Sequence, residues 1–203
     1  VVRNESLLRL ASELEVLREE VRELRGATEA LQYEAENAET NGTLIGPSRT
    51  FTTVEAESSG RRAVRLDATG EFVRFTVTSA ANSLVVRYSV PDQGDWWGTL
   101  GVYVDDELRT RLDVTSRYSW TYGPHTSDGV GSNDPGSGTP HHFYDESRTL
   151  EIGHVPAGAT VMLRKDAEDT ADHYVIDLID LEQVPEPLDR PAGYVSITDG
   201  EGG

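Results

Sequence analysis

The segments EFVRFTVT (residues 71–78) and SLVVRYSV (83–90) decide the fold class, because apolar and polar side chains alternate along both. Alternate residues of a strand lie on opposite faces of a sheet, so each segment can bury one face. Similar runs, separated by Gly, Pro, Asn and Asp clusters, occur at 99–104, 108–114, 148–155, 159–164 and 173–182. About eight strands in about 150 residues predict a mostly β domain, a two-sheet sandwich or jelly roll.

A hairpin is predicted between the runs 99–104 and 108–114. Asp105 and Asp106 lie between the two runs, and acidic residues tolerate the backbone geometry of tight turns.

Residues 1–32 have a different period, with a leucine or valine about every 3.5 residues. The heptad register places four residues at a and four at d: Leu7, Leu14, Val21, Thr28 and Leu10, Leu17, Leu24, Leu31. Glu13 and Glu20 then fall at g, with Arg18 and Arg25 at e five residues later, which is the pairing of parallel chains. We expect an N-terminal parallel coiled coil in which 7–31 self-associates, with a trimer favoured over a dimer; one helix packed on the domain is the alternative.

Composition excludes several classes of partner. A formal net charge of -18 opposes attraction to nucleic acid or to an anionic membrane surface. Cysteine is absent, which removes disulfides and thiolate chemistry. The sequence contains no GxSxG, HExxH or Walker motif, so we expect no enzyme and no catalytic residue.

Aromatic side chains cluster around a long polar insertion at 121–140. Such a loop in a compact domain is usually functional or mobile. Aromatic rings can stack on sugar faces while neighbouring polar groups bind hydroxyls. We therefore predict a carbohydrate site there, with core packing as the alternative for each tryptophan; its residues are Trp96, Trp97, Tyr118, Trp120, Tyr122, His141, His142, Tyr144 and Asp145.

Acidic residues suggest two further kinds of site, a catalytic pair and a metal site. Asp145 and Glu146 beside the insertion are the pair that a glycan hydrolase or lyase would use, and solvated loop charges are the alternative. Glu34 and Glu36 share one face of an extended segment, and Asp177 lies among apolar residues of the last strand. These oxygen ligands favour calcium, although an arginine partner such as Arg61 or Arg62 explains a buried aspartate equally well.

Several segments resemble family 35 carbohydrate-binding modules and their family 6 relatives, as attached to secreted bacterial glycan-degrading β-helix enzymes. They are YEAENAETNGT (33–43), SGRRAVRL (59–66), EFVRFTV (71–77), TSRYSWTYG (115–123), HHFYDE (141–146) and YVIDLIDLE (174–182). The resemblance implies a jelly roll whose structural calcium is held by Glu34, Glu36 and Asp177, and a sugar site in the loops at one end.

From this resemblance we expect a non-catalytic, calcium-stabilised carbohydrate-binding module of an extracellular bacterial protein, multimerised for avidity. A structural or adhesive spacer within a larger β-helix protein is the alternative. The expected domains are a coiled coil (1–32), the β-sandwich (33–186), and a linker with the truncated start of a downstream β-helix domain (187–203).

Overall fold

The computed structural model describes residues 14, 18, 30–50, 53–91, 97–118, 121–122 and 141–185. Between residues 30 and 185, the described residues form antiparallel β-strands with one short helix, α1 (Val54–Glu57), and two 3₁₀ turns, Ala35–Asn37 and Ser59–Arg61. The prediction of a mostly β domain is therefore confirmed. None of the described helical residues form a segment long and apolar enough to cross a membrane.

The strands of the first sheet are β1 (Leu31–Glu34), β3 (Thr43–Ile45), β4 (Ala63–Leu66), β6 (Ser83–Ser89), β11 (Asp145–Thr149) and β13 (Tyr174–Glu182). They lie in the order β11-β6-β13-β4-β3, and β1 also pairs with β13. The strands of the second sheet are β2 (Glu39–Thr40), β5 (Phe72–Thr76), β7 (Trp97–Val104), β8 (Glu107–Thr115) and β12 (Thr160–Arg164). They lie in the order β2-β5-β12-β7-β8. A separate ribbon pairs β9 (Thr121–Tyr122) with β10 (His141–His142).

Both sheets contribute side chains to one apolar core. Tyr88 and Ile176 of the first sheet, and Phe75, Leu100 and Leu163 of the second, are at most 2% exposed. Phe75 alternates with Arg74 and Thr76 along β5, as the sequence pattern requires, whereas Ile176 follows Val175, which is buried on the other face of its sheet. A smaller cluster lies on the other face of the first sheet and contains Ala63, Phe143, Tyr144 and Val175, with Ile45 and Val54 packed against it.

The predicted hairpin joins β7 and β8. Asp105 and Asp106 form its turn with φ angles of 49° and 65°, the left-handed conformations that a two-residue hairpin loop of this type needs. Trp97 pairs with Thr115 at the far end of the hairpin.

The predicted N-terminal helix does not include Leu31, the last of its predicted core positions. Leu31 begins β1 and pairs with Leu181, so strand pairing with β13 replaces the helical heptad at this residue. Leu14 and Arg18 are helical, and Leu14 is exposed. The other heptad positions and residues 187–203 lie outside the described residues, so the coiled coil and the downstream linker stay predictions.

Two strand boundaries also differ from prediction. The run 148–155 was expected to be a strand, but β11 ends at Thr149 and Gly153 adopts a φ of 64° in the turn that follows. The segment 33–36 was expected to be extended throughout, but Glu36 belongs to the 3₁₀ turn after β1.

Candidate functional site

A groove of about 450 Å³ lies where β8, an edge strand of the second sheet, faces β11, an edge strand of the first. Its lining contains two exposed aromatic rings, those of Trp97 and Tyr118. Four acidic and two basic residues complete its charged lining: Asp113, Asp145, Glu146, Glu151, Arg111 and Arg148. We call this the edge groove.

The two aromatic residues lie at the same end of the β7–β8 hairpin. Trp97 is the first residue of β7 and pairs with Thr115, the last residue of β8, three positions before Tyr118. Trp97 is 49% exposed and Tyr118 is 69% exposed. Because large aromatic rings usually serve cores or interfaces, two exposed rings in one groove indicate a contact surface.

A buried tyrosine joins the two sheets beneath the edge groove. The backbone N–H of Thr115 donates to Tyr88 Oη at 2.9 Å, and Tyr88 Oη lies 3.0 Å from Ser147 Oγ. Burial raises the pKa of the Tyr88 phenol, and the nearby Asp145 and Asp113 carboxylates add to the increase. The phenol stays neutral at ordinary pH and fixes β6, β8 and β11 relative to one another.

The two carboxylate oxygens of Asp145 differ in their hydrogen bonds. Its Oδ1 accepts the backbone N–H of Glu146 at 2.8 Å. Its Oδ2 is buried and has no hydrogen-bond partner among the described residues. A buried carboxylate oxygen without a donor is costly. The Oδ1 atom, whose hydrogen bond is exposed, keeps a second lone pair for a donor that enters the groove.

Asp145 and Glu146 do not form the acid and base pair that their spacing allowed. Asp145 pairs with the core residue Tyr88 and Glu146 with Arg87, whose guanidinium contacts Tyr144 on the other face. Successive residues of a strand point to opposite faces. The two carboxylates therefore cannot flank one glycosidic bond in the way that hydrolysis requires.

A second acidic cluster surrounds Ser59. The Ser59 hydroxyl donates to Glu34 Oε1 at 2.8 Å, and the Ser59 backbone N–H donates to Asp177 Oδ1 at 2.9 Å. Asp177 is fully buried, and its Oδ2 pairs with Arg87 rather than with the Arg61 or Arg62 considered from sequence. Burial raises the pKa of Asp177 to about 6, against the opposing effect of the Arg87 charge.

Glu34 and Glu36 fit a cation better than Asp177 does. Glu34 Oε2 and Glu36 Oε2 are buried without a hydrogen-bond partner in the described part of the chain. Burial raises the pKa of Glu36, opposed by a backbone hydrogen bond, and the Glu34 charge raises it further. Gly60 makes room for this carboxylate, since a Cβ there would lie 2.8 Å from Glu36 Oε1. Among the described residues, no three His, Cys, Asp or Glu side chains lie close enough together to hold a metal ion.

The remaining predicted sugar-site residues are placed differently. Tyr144 is buried, with the Arg87 guanidinium 4.6 Å from its ring centroid, and it does not line the edge groove. Tyr122, His141 and His142 lie on the β9–β10 ribbon, of which only the backbone is described. Trp96 and Trp120 lie outside the described residues. Their roles stay predictions.

Asp113 and Thr115 line the groove but were not predicted to be site residues. Their position follows from the hairpin register, because a turn at Asp105 and Asp106 brings the end of β8 beside Trp97. That signal was present in the predicted hairpin. The approach of β11 to β8 had no such local signal.

Comparison with known proteins identifies the family of this two-sheet domain. Residues 29–184 match the family model "Alpha-1,3-glucanase catalytic domain D1", and the chain belongs to that family. A comparison with curated protein sequences gave no significant match.

Solved structures agree with this membership. The catalytic unit of a thermostable GH87 alpha-1,3-glucanase from Streptomyces thermodiastaticus is 44% identical over 86% of this chain and 30% of its own, with a TM-score of 0.67. The catalytic domain of a GH87 alpha-1,3-glucanase in complex with nigerose is 36% identical over 82% of this chain and 30% of its own, with a TM-score of 0.70. The chain therefore spans about 30% of the length of these relatives.

These matches correct the functional expectations. The resemblance to family 35 and family 6 carbohydrate-binding modules was wrong, because the family model and the solved relatives are those of glucanase catalytic domains. The interpretation as a non-catalytic binding module, and the expectation that the chain is not an enzyme, were wrong for the same reason. The glycan hydrolase considered as a further alternative is the class to which these relatives belong.

Proposed function

We propose that this chain acts as the D1 domain of an α-1,3-glucanase, a glycoside hydrolase that cleaves the α-1,3 bonds of a glucose polysaccharide. The observation that carries the proposal is the family match over residues 29–184, joined to 44% identity with a glucanase catalytic unit. The acidic charge of the chain is compatible with this substrate, because a neutral glucan is not repelled.

The reaction needs an acid and a base or nucleophile on either side of the scissile bond. We assign neither role to a described residue, because Asp145 and Glu146 project to opposite faces of β11. We propose that the two sheets pack as a jelly-roll sandwich and that hydrolysis is a property of the catalytic unit containing it. The shared core and the mixed strand order of both sheets support this architecture.

A domain exchange tests the proposal. Residues 29–184 replace the matching region of the Streptomyces glucanase, and release of reducing sugar from α-1,3-glucan is measured. We expect the exchanged enzyme to hydrolyse α-1,3-glucan and to leave α-1,4- and α-1,6-glucans intact. A folded chimaera that releases no sugar from α-1,3-glucan, beside an active parent enzyme, would contradict the proposal.

We also propose that Glu34 and Glu36 hold a calcium ion with main-chain and water oxygens. Their buried, unpartnered oxygens support this, since calcium accepts several oxygen ligands and would neutralise both charges. Melting of the full chain is measured with calcium and with a chelator. We expect calcium to raise the melting temperature of the wild type but not of Glu36→Gln; an equal response of both would count against the site.

We propose that the protein acts outside a bacterial cell. A polymeric glucan is too large to cross a membrane, so its hydrolysis has to begin outside. Fractionation of an expressing culture checks this, and retention of the protein in the cytoplasm would argue against it.

A further inference from the structure

We propose that the edge groove binds a run of α-1,3-linked glucose units and holds the polysaccharide on the D1 domain. Trp97 and Tyr118 stack on sugar rings, and Asp145 Oδ1 accepts a hydrogen bond from a glucose hydroxyl. The choice of glucan rests on the proposed function, whereas the position of the groove rests on its geometry.

The aromatic end of the groove supplies the stacking surfaces. Trp97 and Tyr118 are both about half exposed or more and lie at one end of the β7–β8 hairpin. The Arg117 guanidinium lies 5.7 Å from the Tyr118 ring centroid, which orients that ring. The apolar C–H face of a pyranose matches such a ring, and burying both surfaces removes apolar area from water.

Asp145 supplies the polar specificity. Its Oδ2 is buried without a donor, while its Oδ1 is fixed by the Glu146 backbone N–H. The carboxylate is therefore already oriented, so little entropy is lost when a ligand binds. A hydroxyl of the ligand can donate to the second lone pair of Oδ1, whereas an acceptor group of a ligand would be repelled by the carboxylate.

The floor beneath Asp145 is rigid. Tyr88 Oη connects Thr115 of β8 with Ser147 of β11 across the two sheets. The two walls of the groove thus keep their separation without a ligand, as expected of a largely preformed carbohydrate site.

The charges of the groove exclude an acidic sugar. Its two arginines are already paired: Arg111 with Asp169 at 2.9 Å, and Arg148 with Glu182 at 3.0 Å. The Asp113, Asp145 and Glu151 carboxylates, which line the groove, leave it acidic. A uronate would be repelled, and a neutral polyhydroxyl chain would not.

The test uses the full chain, with a tetrasaccharide of α-1,3-linked glucose in calorimetric titration and insoluble α-1,3-glucan in sedimentation. We expect Trp97→Ala to weaken binding about tenfold or more, the usual loss for an aromatic anchor. Tyr118→Ala and Asp145→Asn should each weaken it several-fold. Leu44→Ala is the matched control, because Leu44 is 51% exposed on β3, at the opposite edge of the first sheet.

Circular dichroism and melting confirm that each variant is folded. Wild-type affinity in both Trp97→Ala and Tyr118→Ala would overturn the inference, as would equally strong binding of an oligogalacturonate. Absence of tetrasaccharide binding by the wild type overturns it even where the domain exchange preserves hydrolysis. Binding that is lost only in the groove variants supports it even where the exchange fails.

Discussion

Arg87 and Asp177 form an ion pair at a β-bulge in the middle of the first sheet. The pairing of β13 with β6 shifts between Ile176 and Leu178, so Asp177 is the extra residue of the longer strand. Asp177 is fully buried, and the Arg87 guanidinium also contacts the Tyr144 ring and the Glu57 carbonyl. The bulge thus turns a carboxylate toward the one strand that carries its counter-ion.

Removing one member of this pair is expected to destabilise the domain strongly. Asp177→Ala leaves the Arg87 charge without its partner, at a cost of about 3 kcal/mol in the free energy of unfolding. Denaturant titration measures the loss. The double variant Arg87→Met/Asp177→Leu should recover at least half of it, because neither charge then remains; no recovery would show that the bulge needs the ion pair itself.

The raised pKa of Asp177 makes stability depend on pH. The folded carboxyl binds its proton up to a pKa of about 6, against an ordinary value of 3.8. The stabilisation that comes from protonating Asp177 in the folded state is complete below pH 3.8 and is lost as pH rises through about 6. The difference in unfolding free energy between wild type and Asp177→Asn should therefore fall by about 2 to 3 kcal/mol across this interval. Both proteins are titrated in a chelator, and a difference that is constant with pH would contradict the assignment.

The sequence predicted the strands that alternate cleanly. β5, β6, β7, β8, β12 and β13 coincide with predicted runs within a few residues, because their apolar residues meet one shared core. Leu31 was misassigned because a heptad leucine and a strand leucine look alike, and only the distant Leu181 distinguishes them. Part of the edge groove was predicted from the sequence, namely Trp97, Tyr118 and Asp145. The hydrogen bonds of Tyr88 with Thr115 and Ser147 were not predicted, because they join distant parts of the chain.

Lys165, the only lysine of the chain, is expected to be essential for stability. Its ammonium is buried and donates to the carbonyls of Ala171, Asp172 and Asp67 at 2.9, 2.6 and 2.9 Å. Lys165→Met leaves these acceptors without their donor and should cost about 2 to 3 kcal/mol. Denaturant titration checks this, with Arg109→Met on β8 as an exposed control; an equal change in both variants would contradict the prediction.

Two glycines of β7 should respond differently to alanine. A Cβ at Gly101 would lie 2.5 Å from Asp166 Oδ2, the atom that accepts the Tyr103 hydroxyl at 2.6 Å. A Cβ at Gly98 would meet nothing closer than 3.5 Å. Gly101→Ala should therefore lower the unfolding free energy by about 1 to 3 kcal/mol, and Gly98→Ala by less than about 0.5 kcal/mol. Thermal melting of both variants tests this, and an equal shift would refute it.

The pairing of β1 with β13 has a mechanical consequence. Leu31 lies beside Leu181, so the first and last strands of the described domain meet at one point with opposite directions. A force that pulls these two ends apart acts on one pair of backbone hydrogen bonds at a time, instead of loading all of them together. The domain should peel open under low tension from that corner, while β6, β13 and β4 stay joined behind it.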